Sequence, residues 1–155
     1  MDKYNSLNKI NVTVHSLPKA SIIPTQNNHS LYAKADSGAS THSIRIAERA
    51  LLKNIRKLTN GPSCKLPDGN TIKPEEQGEL NSSSCLSKIA KRAYVHPALK
   101  SSSLISIGQL CDDGCVVIFD KDKINVLKNK KIIMSGNRNV TDGLWDIPLH
   151  QPIER

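Results

Sequence analysis

The rhythm of hydrophobic and polar positions changes several times along the chain, and each change predicts an element. Residues 1–29 show little patterning and are rich in Asn, Ser, Lys and Pro. They predict a linker or a late-forming edge, with a short strand in "INVTVHSL" at most. "SLYAKA" alternates loosely and predicts a strand running into Asp36. Ile44, Ala47, Leu51, Ile55 and Leu58 then recur three or four apart, which predicts a helix over 44–58. Ser43 would cap it and Asn60-Gly61-Pro62 would stop it. Arg45, Arg49, Lys53, Arg56 and Lys57 fall mostly on its other faces, a solvated basic surface. Asp68-Gly69 between two short extended pieces predicts a hairpin, because such a turn needs positive φ. Its flanks are only modestly apolar, so the hairpin should project rather than form a core layer.

The second half is better patterned. "AYVHPAL" predicts a short extended segment ended by proline, and "SLISIGQL" mixes apolar residues up to Gly108. "CVVIF", residues 115–119, predicts a continuous buried strand. "DKDK" turns it, "INVL" predicts the next strand, and "NKK" turns again into "IIM". Ser135-Gly136-Asn137 is expected to end that meander, and "DGLWDIPL" to form a half-exposed docking tail. Asp112-Asp113-Gly114 and Asp142-Gly143 are expected to be turns. The resulting division is a flexible arm over 1–29, a folded domain over 30–134 and a tail over 135–155.

Composition narrows this picture. The 155 residues suit one domain, but 37% apolar and 3% aromatic content is low for a self-sufficient core. Part of the chain is then outside the core, or association completes it. The net charge of +8 is compatible with an acidic partner such as nucleic acid, or simply with solubility. No aromatic residues are interleaved with the basic ones for base stacking, so nucleic acid is only weakly supported. No apolar run is long enough for a signal peptide or membrane span, which predicts an intracellular, cytoplasmic chain with reduced thiols and no membrane partner. Cys111 and Cys115 stand four apart without a second pair or a His-x-x-x-His, so no metal site is expected.

The chemistry concentrates in "ADSGASTHS". Hydrolysis of a peptide bond by carboxylates needs one to take a proton from water and another to hand a proton to the amide. Two aspartates about 3 Å apart do both, sharing a single proton because both cannot ionise. Asp36 supplies a carboxylate, Ser37 a hydroxyl able to fix a tight loop, Gly38 a close backbone N–H, and Ala39 a small side chain. Asp36-Ser37-Gly38 has no second copy in the chain, since Asp112-Asp113-Gly114 lacks the hydroxyl. A homodimer with the site on its two-fold axis would supply the second carboxylate. His42 is expected to hold backbone by hydrogen bonds rather than serve as a general base, there being no patterned nucleophile beside it.

In order along the chain, "ADSGASTHS", "LPDGNTI", "LISIGQLCDDGCVVIF" and "DGLWDIPL" resemble segments of the retroviral-type (retropepsin-like) aspartic proteases, specifically those of Copia-type retrotransposon polyproteins. The resemblance covers about residues 30–148. It implies an all-β fold, a small closed barrel-like acid-protease domain with a flap hairpin and one or two short helices. It implies Asp36 as catalyst, with Ser37, Gly38 and Ala39 forming the active-site loop. Leu66, Pro67, Asp68, Gly69, Asn70, Thr71 and Ile72 would be the flap over substrate, and Ile107 and Gly108 would pack under the Asp loop, Gly108 letting two segments cross. It further implies an aspartic-type endopeptidase that acts as a homodimer on extended segments of its own polyprotein. No cofactor is implied, and the setting would be the cytoplasm or a virus-like particle. Ala33-Lys34-Ala35 before the Asp departs from the large apolar residues frequent in that family. That departure, with the basic 44–58 segment, keeps open a catalytically inactive protease-like module for dimerisation or interaction.

Overall fold

The computed structural model describes residues 31–66 and 68–150. The expected arm over 1–29 with its short strand, Pro67 of the hairpin, and residues 151–155 of the expected tail lie outside the described residues. The chain is mostly β. The strands are β1 (Tyr32–Asp36), β2 (His42–Ile44), β3 (Leu52–Lys57), β4 (Cys64–Lys65), β5 (Thr71–Ile72) and β6 (Glu76–Leu80). They continue as β7 (Arg92–Val95), β8 (Leu104–Ser106), β9 (Val116–Phe119), β10 (Lys123–Lys128), β11 (Lys131–Arg138) and β12 (Trp145–Pro148). The helices are short: a 3-10 turn over Ile46–Leu51, α1 (Lys88–Lys91) and α2 (Ile107–Asp112).

Among the described residues, ten strands form one mixed sheet in the order β3-β6-β7-β2-β8-β1-β12-β11-β10-β9, while β4 and β5 pair only with each other. A closed barrel is therefore not found among the described residues: β3 and β9 are unpaired edges of an open sheet. One buried cluster nevertheless runs from Leu52 and Leu80 near one edge to Ile124, Val126 and Ile133 near the other, so the strands share a single core. The pairs β1–β8 and β2–β7 are parallel, and the remaining pairs are antiparallel.

Local chemistry explains most elements. Asn129 and Lys130 both have positive φ, 51° and 64°, giving β10 and β11 a two-residue hairpin that matches strand twist. The Asp120 carboxylate accepts the N–H groups of Asp122 and Lys123 and closes the turn from β9 to β10. Ser106 caps α2 by accepting the Gln109 N–H. The same helix ends with Gly114 at φ +83°, its N–H on the Cys111 carbonyl and the Cys115 N–H on the Leu110 carbonyl.

Three expectations are corrected. The helix over 44–58 is instead the end of β2, the 3-10 turn and β3. Ile44 is drawn into the sheet opposite Val95, and Leu52–Lys57 pairs with β6. Long-range ladders override the local 3.6-residue pattern, and Asn54 at φ +52° sits within the register shift of β3. The helical basic stripe is broken up: Arg45 pairs with Glu48 and Arg49 with Glu76, while Lys53, Arg56 and Lys57 stay exposed on β3. Second, β9 is not a buried strand: Val116 and Ile118 are exposed at the sheet edge, where β10 is its one neighbour among the described residues. Third, Ser135-Gly136-Asn137 continues β11, and "DGLWDIPL" supplies β12, an interior strand between β1 and β11 rather than a tail. No helix among the described residues is long and apolar enough to cross a membrane.

Candidate active site

Sheet order builds the loop. β8 lies between β1 and β2, so the chain leaving β1 at Asp36 must arch over the end of β8 to reach His42. Asp36 is registered beside Ser106, the last residue of β8 and the cap of α2. The arch leaves Ser37 and Gly38 exposed, with Asp36 and Ala39 partly so.

The loop is held at several points. Gly38 donates its N–H to Asp36 Oδ1 at 2.7 Å, the bond expected of it. A Cβ on Gly38 would stand 3.2 Å from that same oxygen, so any side chain there presses on the carboxylate. The Ala39 carbonyl accepts the Ser106 hydroxyl at 2.6 Å. Ser106 N–H donates to His42 Nδ1 at 2.9 Å, and His42 Nε2–H donates to the Ala90 carbonyl at 2.8 Å. These partners fix the imidazole as a neutral strut between β8 and α1, the backbone-holding role read from the sequence. Gln109 completes the clamp. Its side-chain carbonyl accepts the His42 N–H, and its amide donates to the carbonyls of Ile89 and Arg92.

Two expected supports differ. Ser37 is exposed and makes no hydrogen bond within the described chain, so within the chain Ser106 rather than Ser37 fixes the loop. Ile107 is buried, but Gly108 is exposed, and a Cβ there would meet only Ser106 Oγ at 3.8 Å. No close crossing requires that glycine. Ser106 and Gln109 were missed by residue-type reasoning, although Ser106-Ile107-Gly108-Gln109 has the Ser-x-x-Gln spacing of a helix start.

The hairpin expected as the flap forms around Asp68-Gly69. Gly69 takes φ +88°, its N–H reaches the Leu66 carbonyl, and Leu66 N–H reaches the Asn70 carbonyl. Asp68 accepts both the backbone N–H and the side-chain amide of Asn70. Thr71 is exposed and Ile72 buried. Among the described residues no hydrogen bond links this hairpin to the Asp36 loop.

Lys34, two residues before Asp36, does not face open solvent. Its ammonium bridges Asp142 at 2.5 Å and Asp146 at 2.6 Å, and Asp146 is its register partner on β12. Burial works to lower its pKa, but the two carboxylates outweigh that and hold it above the ordinary lysine value. Lys34 thus ties β1 to β12. It also lines a cleft of about 260 Å3 with Tyr32, Arg45, Glu48, Asp142 and Asp146. No group of three or more His, Cys, Asp or Glu side chains among the described residues is placed to hold a metal ion.

Two buried histidines give the fold a pH dependence. Burial is the main cause that lowers His42 from 6.5 to about 4, against the Ala90 carbonyl that raises it. His96 is also lowered by burial, and neither of its ring nitrogens has a partner. Both folded-state values lie below the unfolded one. Their neutral forms therefore stabilise the fold fully above about pH 6.5, and that stability drains as pH falls toward 4. Urea denaturation is expected to show about 2 kcal/mol less stability at pH 5 than at pH 7.5 from His42 alone. Equal midpoints at the two pH values would contradict the buried neutral imidazoles.

Within one chain the site presents a single carboxylate on a pinned, outward-facing loop. One such group can orient water or accept a proton, but cannot also supply the second proton relay. No protein-family model, no curated protein and no solved structure matches the chain.

Proposed function

We propose that the chain is an aspartic endopeptidase of retropepsin type, active as a homodimer in which Asp36 of each protomer shares one proton and one water. The observation that carries this reading is the Asp36–Ala39 loop. Its carboxylate is pinned by the Gly38 N–H, its far side is clasped by Ser106, and its tip is exposed where a second copy can face it. A loop turned into the core would have excluded the shared dyad.

The exposed hairpin around Asp68-Gly69 would cover an extended polypeptide bound through its main chain. The substrate would be the Copia-type polyprotein that carries the domain. Two carboxylates and one water suffice, so the chemistry calls for no cofactor. The buried histidines oppose the acidity that suits such a dyad, which places the expected optimum near mildly acidic to neutral pH.

The test is cleavage of polyprotein-derived peptides by purified protein over a dilution series. Pepstatin-sensitive cleavage is expected, with specific activity falling on dilution as dimers dissociate. Firm dimerisation with no pepstatin-sensitive cleavage would replace this reading with an inactive interaction module.

A further inference from the structure

We propose that the cleft around Lys34, on the face of β1 that also carries Asp36, is a substrate subsite for a basic side chain, lysine or arginine. The inference deepens the protease reading and rests on it for the occupant being part of a peptide substrate.

Alternation along β1 places the cleft. Ala33 is buried and Ala35 packs on the core, so Tyr32, Lys34 and Asp36 share the opposite face. Lys34 lines the cleft; Asp36 lies outside it, about 7 Å further along the same face of the strand. A peptide spanning the carboxylate would bring a neighbouring side chain over this opening. At about 260 Å3 the cleft is smaller than the roughly 300–1,000 Å3 pockets that hold whole small molecules, and suits a single side chain.

Its chemistry selects charge. Two cations, Lys34 and Arg45, face three carboxylates, Glu48, Asp142 and Asp146, leaving one negative charge in excess. The cations are consumed. Arg45 forks onto Glu48 and donates to the carbonyls of Lys100 and Ser101, while Lys34 bridges Asp142 and Asp146. Neither is free to receive an anion. Asp142 is the most open of the carboxylates in these ion pairs, its side chain 39% exposed. Its Oδ1 accepts the Leu144 N–H and its Oδ2 takes Lys34, with acceptor capacity left on both oxygens. Tyr32 adds an exposed aromatic ring, which favours a cation over its face. An apolar side chain would gain little from such walls and would strip water from them.

The experiment uses 15N-labelled Asp36→Asn protein, so that peptides bind without being cut. Three capped hexapeptides, identical except for Lys, Leu or Glu at one position, are titrated in turn, with that position scanned along the peptide. Lysine peptides are expected to shift the amide signals of Lys34, Ser101, Ser102 and Asp142 at one scan position, with leucine and glutamate peptides shifting them far less. Asp142→Asn keeps the acceptor for the Leu144 N–H and is expected to weaken lysine-peptide binding about fivefold. Equal responses to the three peptides, or shifts away from these residues, overturn the subsite. Its failure is separable from failure of the protease reading. Cleavage by the wild-type chain without lysine selectivity would sink the subsite alone. Lysine-selective binding at the cleft with no wild-type cleavage would sink the protease reading alone.

Discussion

Asp36→Asn is expected to cut peptide hydrolysis by about 10^4-fold while leaving the fold intact. The two halves of that expectation come from different features. Asn is close to Asp in size, and its side-chain oxygen can still accept the Gly38 N–H that now binds Oδ1 at 2.7 Å. The clasp between Ser106 and the Ala39 carbonyl does not involve the carboxylate at all. Thermal midpoint and dimer affinity should therefore stay near the wild-type values. Activity should not, because an amide neither takes a proton from water nor returns one to the leaving amine. The measurement is kcat/KM on a polyprotein-derived peptide, with the denaturation midpoint of the same preparation as the control. Wild-type cleavage by the variant would remove Asp36 from the mechanism.

Gly136→Ala is expected to be the most destabilising single methyl group in the described chain, costing about 3 kcal/mol or more. A Cβ at Gly136 would lie 1.8 Å from the Asp146 carbonyl oxygen, and 3.2 Å from the Ile124 side chain on its other side. Neither neighbour yields easily, one being backbone of β12 and the other a fully buried core residue. Parting β11 from β12 would also disturb Asp146, which holds Lys34 on the strand that carries Asp36. Folding and activity should fall together. Gly108→Ala is the contrast: its exposed helical site is open, so alanine should be neutral or stabilising by up to about 1 kcal/mol. Chemical denaturation of both variants checks the pair, and a Gly136→Ala protein as stable as wild type would contradict the close strand approach.

The sequence made local features legible and non-local ones not. The strand into Asp36, the β10–β11 hairpin and the turns at Gly69, Gly114 and Gly143 follow from alternation and from residues that accept positive φ. The segment 44–58 did not follow, because its helical spacing competes with ladders to β6 and β7 that lie tens of residues away. Burial of β9 could not be read from "CVVIF", since an apolar run does not say whether its strand ends up inside a sheet or at its edge. Gly136 looked like punctuation because its reason, the carbonyl of Asp146, is a tertiary neighbour.

The candidate site divides in the same way. The Gly38 N–H bond to Asp36 and the holding role of His42 were readable from residue type and order. Ser106 and Gln109 reach the loop from over 60 positions away, and only their helix-start spacing hinted at them. Asp142 was legible as a turn residue, which it is, but its ion pair with Lys34 depends on β12 lying against β1.

The proposed shared dyad is tested most directly by mixing wild-type and Asp36→Asn chains at constant total concentration, well above the dissociation constant of the proposed dimer, after allowing subunits to exchange. If each active site needs one Asp36 from each protomer, an equal mixture should retain about one quarter of the wild-type activity, since mixed dimers are dead. Retention of about one half would mean that each chain works alone, and would contradict a site built on the two-fold axis.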